Sequence, residues 1–263
     1  MALETNLISV WRCDEASGNL IDATSSNNDL TAVNTPTFSA GKIYNGTNLV
    51  RASAQYFTIS DANQTGLDFT GDFSMSFWYR PTTIPTASSG DYYEFAEKRD
   101  EVEDQRGWHT GYADNSGTPT FGMGLIDVDD GRAWSIYYVD YTLTAETMYH
   151  IIYTWLASTH TLTVYVDNSS VGTDTGTQAY TSINDGGAPF RIGGYVDSNN
   201  PNGVHMQNGQ LDEFCIWTKV LSSDERTFLY NSGEGVYFNG TTFEQITATT
   251  NKLSSFRRGS SKI

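Results

Sequence analysis

The chain has 263 residues, of which 38% are hydrophobic, 13% aromatic and only 17% charged. This composition favours one large all-β domain whose core depends on aromatic rings. The formal net charge of −16 argues against nucleic acid as a partner, since phosphate neutralisation needs clustered Lys and Arg, and against binding to an anionic membrane surface.

The sequence lacks the signals of export and membrane insertion. Residues 1–10 (MALETNLISV) have neither the basic start nor the apolar centre of a signal peptide. No window approaches the ~20 apolar residues of a membrane-spanning helix. We therefore expect synthesis in the cytoplasm without a signal peptide.

Alternation of apolar and polar residues predicts short β-strands along most of the chain. In residues 73–79 (FSMSFWY), Phe73, Met75, Phe77 and Tyr79 fall on one face. The strands at 149–156 and 162–167 form a predicted hairpin, joined by residues 157–160. Short strands separated by turn residues indicate an antiparallel sandwich. In chain order, the predicted strands are residues 8–13, 56–59, 73–79, 120–126, 133–139, 149–156, 162–167, 190–192 and 210–217.

One segment has helical features, and the composition changes after it. Residues 222–231 (SSDERTFLYN) begin with Ser222 and carry Glu225 three positions later, which is the pattern of a helix capping box. Asn231 favours the end of the helix at that position. We assign residues 1–237 to the domain and residues 238–263 to a C-terminal tail. The tail is either a docking arm onto other subunits of an assembly or a solvated end.

Six stretches of the sequence resemble laminin-G-like domains of the concanavalin A-like lectin/glucanase superfamily. The resemblance extends over residues 5–237, except that residues 86–117 fit poorly and are expected to be a long loop or insertion. It implies an all-β, antiparallel jelly-roll β-sandwich with one short C-terminal helix and an extended tail. It implies no particular reaction, because this fold supports many functions. The matching stretches are residues 7–19 (LISVWRCDEASGN), 22–30, 35–45, 73–81, 148–167 and 209–233.

The resemblance also implies a structural calcium ion. The family's usual site joins the loop after the first strand to the Asp-Glu pair of the closing strand, which nominates Asp22, Asn28, Asp212 and Glu213 as ligands. The alternative is that Asp22 caps a turn and Asp212 holds strand ends by hydrogen bonds. A second acidic stretch, residues 127–130 (DVDD), lacks a full EF-hand ligand series and is predicted to be a solvated turn.

No sequence phrase predicts catalysis, and no residue is nominated as catalytic. Glucanases of this superfamily use a Glu-x-Asp-x-x-Glu phrase, and residues 101–106 (EVEDQR) depart from it at two positions. Residues 94–106 alternate acids with Lys and Arg, which is explained by pairing on a surface loop. The four histidines show no metal-ligand spacing, and His150, inside a predicted strand, is expected to have a structural role. We therefore expect a non-enzymatic protein.

Two cysteines, Cys13 and Cys215, are too few for a disulfide framework. They are either reduced, buried thiols or a single staple between the first and last strands.

The sequence also contains candidate residues for a glycan-binding site. Sugars stack their C–H faces on exposed aromatic rings, while their hydroxyls pair with amides and carboxylates. Trp134 and Ile136 are predicted to share one face of a strand. The aromatics expected on loops are the better ligand candidates, together with nearby amides: Trp108, Tyr112, Tyr195, Asn199 and Asn202.

The leading hypothesis is a structural or adhesive display protein of a virus or phage particle, whose sandwich faces outward on the virion surface and binds glycans or cell-surface polysaccharide. The expected partners are those glycans and, through the tail, other subunits of the assembly. Neither nucleic acid nor membrane is an expected partner. A stand-alone carbohydrate-binding module is the second hypothesis, and a glycoside hydrolase or lyase is the third.

Overall fold

The computed structural model describes residues 3–86, 92–99, 107–127, 133–175, 187–195 and 205–246. These residues form strands in an almost unbroken series, with one α-helix, α1 (Ser223–Tyr230), near the end. Short 3₁₀ turns occupy Arg51–Ser53, Asp61–Asn63, Ala157–Thr159 and Asn231–Gly233. The strands are β1 (Leu7–Trp11), β2 (Thr31–Val33), β3 (Thr37–Ala40), β4 (Asn45–Leu49), β5 (Tyr56–Ile59), β6 (Phe73–Pro81), β7 (Tyr92–Arg99), β8 (Gly107–Asn115), β9 (Thr118–Asp127), β10 (Ala133–Asp140), β11 (Tyr149–Leu156), β12 (Thr161–Val166), β13 (Ser169–Thr175), β14 (Phe190–Ile192), β15 (Gly209–Trp217), β16 (Val236–Phe238) and β17 (Phe243–Gln245).

Two antiparallel sheets make up the sandwich in the described part of the chain. The eight-stranded sheet has the order β13-β12-β11-β6-β15-β4-β3, with β1 also paired to β15. The seven-stranded sheet has the order β10-β9-β8-β7-β14-β5-β2. The predicted fold class, an all-β antiparallel jelly-roll sandwich with one short helix, is confirmed.

The core between the two sheets is rich in aromatic rings, as the composition predicts. The alternate residues Phe73, Met75, Phe77 and Tyr79 of β6 are all buried in it. The ring of Phe77 stacks on Phe214 of β15 with centroids 4.8 Å apart. Burial of each such side chain contributes about 1.5–3 kcal/mol, so these rings hold the sheets together.

A second, smaller core covers the opposite face of the eight-stranded sheet. Leu229 of α1 and the hairpin residues Val236, Phe238 and Phe243 pack there against Trp217. The hairpin β16–β17 means that the predicted boundary at 237/238 falls inside a folded unit, and that the domain extends to Ile246. Residues 247–263 of the predicted tail lie outside the described residues.

The predicted capping box of the helix is present. The Ser222 Oγ accepts a hydrogen bond from the Glu225 backbone N–H (3.3 Å), and the Glu225 carboxylate accepts one from the Ser222 N–H (2.9 Å). Asn231 ends the helix in a left-handed conformation, as its position predicts. Among the described residues, no helix has the length and apolar character that a membrane crossing requires.

The stretch 86–117 differs from its prediction. Instead of a long loop or insertion, it contains β7 and β8, which lie side by side within the seven-stranded sheet. Its charged residues 94–99 are buried in β7 and do not lie on a surface loop. Cys13 and Cys215 are both buried and free, and they belong to the two different cores.

Candidate functional site

The face of the seven-stranded sheet that points away from the main core carries an unusual set of residues. On β8, Trp108 and Tyr112 belong to the core, so the alternate residues His109 and Gly111 lie on the opposite face. We call this surface the outer face. It comprises Tyr92, Glu94, Glu97, Arg99, His109, Gly111, Gly122, Gly124, Ile136, Tyr138 and Arg191.

A β-bulge brings two glutamates to the outer face. The register of β7 against β8 shifts between Glu94 and Ala96, and both Phe95 and Ala96 are buried in the core. Because one residue is inserted, the side chains on either side of this pair, Glu94 and Glu97, point the same way. Strict alternation would have placed them on opposite faces.

The strand registers arrange the outer face in two transverse rows. The first row runs Tyr138, Gly122, Gly111 and Glu94 across β10, β9, β8 and β7. The second row runs Ile136, Gly124, His109, Glu97 and Arg191, and so continues onto β14. Exposed apolar side chains thus lie at one end of the face, glycines in the middle and charges at the other end.

The charged end is a buried network of ion pairs. Arg99 donates to Glu94 Oε1 from Nη2 (2.8 Å) and to Glu97 Oε2 from Nε (2.9 Å). Arg191 Nη1 donates to Glu97 Oε1 (2.8 Å). Both carboxylates are fully buried. Removing one partner from such a network leaves an uncompensated buried charge, which costs about 3–5 kcal/mol, so the network fixes these side chains in place.

Two histidines approach the same carboxylate. Nδ1 of His109 lies 3.2 Å from Glu94 Oε1, and Nδ1 of His205 lies 3.8 Å from it. Burial lowers the pKa of His205, against the opposing effect of Glu94. Burial raises the pKa of Glu97 to about 7, although Arg99 and Arg191 act in the opposite direction. Among these groups, burial thus brings the pKa of Glu97 close to neutral pH.

Glycines in the middle of the outer face let two rings lie against the backbone. A Cβ built on Gly124 would lie 1.9 Å from Nε2 of His109, and one on Gly111 would lie 2.2 Å from the ring of Tyr92. The hydroxyl of Tyr92 occupies the corresponding space at Gly122, 2.8 Å from the position of a Cβ. Glycine inside a strand commonly marks such a close approach. The middle of the face is therefore made of rings packed directly on backbone, and the glycines there are buried.

Tyr138 and Ile136 form the exposed end of the two rows. They remain 37% and 39% exposed, although neither lies on a loop. The backbone N–H of Tyr138 donates to Asp174 Oδ2 of β13 (2.8 Å), which ties this edge to the other sheet. The Tyr138 hydroxyl is close enough to Tyr92 to contribute to raising the pKa of that residue. Tyr138 therefore gives the two rows a partly exposed aromatic ring at one end.

The sequence-predicted ligand aromatics are not exposed. The prediction that Trp108 and Tyr112 are loop residues is wrong, because both lie in β8 and are fully buried in the core. Tyr195 is brought to the outer face, with its ring 4.4 Å from the Arg99 guanidinium, but it is only 1% exposed. These rings have no face open to a sugar. Asn199 and Asn202 lie outside the described residues.

Two of the predicted calcium ligands already have their oxygens in hydrogen bonds. Asp22 Oδ1 accepts from the N–H groups of Val10 and Thr24, and Oδ2 accepts from that of Asn28, each at 3.0 Å. Asn28 Oδ1 accepts from the Thr65 N–H (2.7 Å). Donors facing these oxygens would repel a cation, so Asp22 and Asn28 do not fit a calcium site. Asp22 makes the contacts of a turn cap, the alternative stated above.

The other predicted ligands, Asp212 and Glu213, lie in a bulged part of β15. Asp212 Oδ2 accepts from the Ile43 N–H (2.9 Å), whereas both Glu213 oxygens are buried and have no hydrogen-bond partner among the described residues. Burial raises the pKa of both groups. In the part of the chain that the structure describes, no three His, Cys, Asp or Glu residues are grouped as a metal site. Asp212 and Glu213 are therefore not grouped with Asp22 among the described residues, and a structural calcium ion stays a prediction.

The other titratable residues singled out in the sequence either have a structural role or lie outside the described residues. His150 has the structural role predicted for it, because its Nε2 lies 2.8 Å from the Ser76 Oγ inside the second core. Glu101, Glu103, Asp129 and Asp130 lie outside the described residues, and Asp127 is the last residue of β9.

Comparisons with known proteins identify a family and a set of similar folds. The model of a family described as the Concanavalin A-like lectin/glucanases superfamily matches residues 51–225. No curated protein matches the sequence significantly.

Three solved structures illustrate the similarity of fold. The binding domain of Paraclostridial Mosquitocidal Protein 1 has a TM-score of 0.62 and 18% identity, over 88% of this chain and 53% of that one. Domain 4 of AbnA, a GH43 extracellular arabinanase from Geobacillus stearothermophilus, was solved in complex with arabinotriose. It has a TM-score of 0.58 and 17% identity, over 84% of this chain and 97% of that one. The third structure is of botulinum neurotoxin type C, whose cell entry is described as dependent upon interaction with two ganglioside molecules. It has a TM-score of 0.61 and 15% identity, over 88% of this chain and 52% of that one. The chain spans about half the length of the two toxin structures.

Proposed function

We propose, from the premise that the chain belongs to the Concanavalin A-like lectin/glucanases superfamily, that it is a non-enzymatic protein that binds glycans on the outer face of its seven-stranded sheet. The observation that carries this proposal is the position of Tyr138. Its ring is partly exposed, and the residue lies in one transverse row with Gly122, Gly111 and Glu94. A partly exposed aromatic ring gives the C–H face of a sugar a surface on which to stack.

The state of the two glutamates supports binding without catalysis. A retaining or inverting glycosidase needs one carboxyl group that reaches the glycosidic oxygen and a second that reaches the sugar ring or a water. Glu94 and Glu97 are both fully buried, and both accept hydrogen bonds from arginine. If the protein were instead a hydrolase or lyase, it would turn over a polysaccharide, and Glu97→Gln would abolish that turnover.

Similar structures support glycans as the ligand class. The AbnA domain was solved with arabinotriose, and the type C neurotoxin is described as interacting with gangliosides. The chain covers 97% of the AbnA domain, which supports a carbohydrate-binding module as the second candidate.

Display on a virus or phage particle is the finer part of the proposal. An acidic body with a basic end would suit attachment to neighbouring subunits, with the glycan-binding face outward. Removal of residues 247–263 is the discriminating experiment, because these residues follow the hairpin that completes the second core. Loss of assembly with sugar binding retained supports the display role. A full-length chain that binds sugar but does not assemble with other subunits supports the stand-alone module.

The glycan-binding proposal is tested on a glycan array with three single variants. Tyr138→Ala should abolish binding, and Tyr138→Phe should retain most of it, because the ring provides the stacking surface. Leu156→Ala is the matched control, since Leu156 is 38% exposed on the other sheet. Equal binding by the wild type and Tyr138→Ala would refute the proposal.

A further inference from the structure

A groove at the opposite edge of the seven-stranded sheet is separate from the outer-face site. It has a volume of about 800 Å³ and lies between the turn that follows β2 and the 3₁₀ turn that precedes β5. The sheet order places β10 at one edge and β2 at the other. Six steps of ~4.8 Å between strands put the groove about 29 Å from Tyr138. Its lining residues are Val33, Asn34, Thr35, Ala52, Ser53, Ala54 and Tyr56.

A buried glutamine holds the two walls of the groove together. Gln55 Nε2 donates to the carbonyl oxygens of Asn34 (3.1 Å) and Thr35 (3.0 Å), and its Oε1 accepts from the Val50 N–H (2.9 Å). Asn34 Nδ2 donates across the groove to the Ala54 carbonyl oxygen (2.8 Å). The groove is therefore fixed before any ligand arrives, which reduces the entropy cost of binding.

The walls contain residues in an unfavourable backbone conformation. Asn34, Thr35 and Ala54 have φ values of 56°, 54° and 47°. Asparagine tolerates this left-handed region, but a β-branched residue such as threonine rarely adopts it. Strained residues of this kind cluster at binding sites. Glycine would relieve the strain at position 35, so the threonine side chain is held at the groove at a conformational cost.

The lining suits an uncharged, hydroxyl-rich ligand. Among the described residues that line the groove, none is charged. Within the described residues, no side-chain hydrogen bond engages the hydroxyls of Thr35, Ser53 or Tyr56, so all three are open to a ligand. The Tyr56 ring offers an apolar surface beside them. This combination matches the alternating C–H faces and hydroxyls of a sugar.

We propose that this groove is a second binding site, which takes a short neutral oligosaccharide independently of the outer face. One protein would then hold glycans at both edges of one sheet. Two such contacts on one chain or surface raise the overall avidity without any new contact at either site.

Amide NMR titration of the full chain carrying Tyr138→Ala tests the groove with the outer face disabled. The probes are arabinotriose, cellotriose and maltotriose, each added separately up to concentrations far above a millimolar Kd. We expect at least one of them to shift the amides of Thr35, Ser53 and Tyr56 with saturation. Ser53→Trp, which fills the groove, should remove these shifts, whereas Ser169→Trp, an exposed serine on the other sheet, should retain them.

Thr35→Gly separates a binding role from a structural one. This variant removes the methyl and hydroxyl groups and relieves the strained φ, so Tm should stay the same or rise. The Kd should become about tenfold weaker, as for one lost hydrogen bond. Absence of saturable shifts at these amides with all three sugars, or shifts that persist in Ser53→Trp, would overturn the proposal. Both outcomes are informative whether or not the outer face binds glycans, because the amides of the groove respond only to binding at the groove.

Discussion

Tyr138 lies directly opposite Gly122 on the neighbouring strand. Gly122 in turn lies opposite Gly111, so two successive positions beside the tyrosine have no side chain. The hydroxyl end of Tyr92 fills the space above Gly122. A partly exposed ring therefore lies at one end of a row whose other end is a buried polar network.

Gly124→Ala tests whether the close packing of His109 on the backbone of the outer face matters for binding. The new methyl group would lie 1.9 Å from Nε2 of His109, so the imidazole must turn away from Glu94. Since the ring can move, stability should fall by only about 1–3 kcal/mol, while glycan binding should weaken markedly. Gly71→Ala is the control, because nothing lies within 4 Å of its added Cβ. Similar binding by both variants in a glycan titration would contradict this role.

Glu97→Gln tests the raised pKa of the buried carboxyl group. The folded-state pKa of about 7 exceeds the ordinary value, so the native state holds a proton that the unfolded state has released. Stability contributed by this group is therefore present below about pH 4.5 and lost as the pH rises through 7, by about 3 kcal/mol. Urea unfolding from pH 4.5 to 8 should show a steeper decline for wild type than for Glu97→Gln. Parallel curves would show that Glu97 titrates normally.

His150→Gln tests the opposite linkage in the second core. Burial lowers the pKa of His150 to about 3, so between this value and its ordinary pKa near 6.5 the unfolded state binds the extra proton. The stability contribution is present above pH 6.5 and lost as the pH falls towards 3, by about 4 kcal/mol. The difference in unfolding free energy between wild type and variant should therefore shrink on acidification. A constant difference would mean that the folded protein accepts the proton on His150.

Asp22→Asn distinguishes a turn cap from a calcium ligand. The carboxylate accepts N–H groups from Val10, Thr24 and Asn28, and an amide nitrogen cannot replace one of these acceptors. We expect a loss of about 1–3 kcal/mol, equal in calcium and in EDTA. Thermal unfolding under both conditions measures it. A loss of stability that occurs only in the buffer with calcium would show that Asp22 is a calcium ligand.

The sequence predicts those features of the fold that depend on local pattern. Ser222 and Glu225 cap the helix as their spacing indicates, and the strands predicted at 149–156 and 162–167 pair as the hairpin β11–β12. The alternation of β6 identifies its core face correctly. Each of these signals is contained within a few consecutive residues.

The outer face could not be predicted in this way, because its partners are distant in sequence. Glu97 pairs with Arg191, 94 residues away, and without that partner the charges of β7 look like those of a solvated loop. The bulge at Phe95 and Ala96 also breaks the alternation that would have identified the strand. One local signal was present: Gly122 and Gly124 alternate on one face of a predicted strand, which indicates close approach by other groups.

The most direct test of the account is a map of the amide NMR shifts that a bound glycan causes in the wild-type protein. If the outer face binds the sugar, saturable shifts should include Gly122, Gly124, His109 and Tyr138, and those at Tyr138 and Gly122 should disappear in Tyr138→Ala. Saturable shifts elsewhere in the sandwich, with these four amides unmoved, would contradict the assignment of the outer face as the glycan-binding surface.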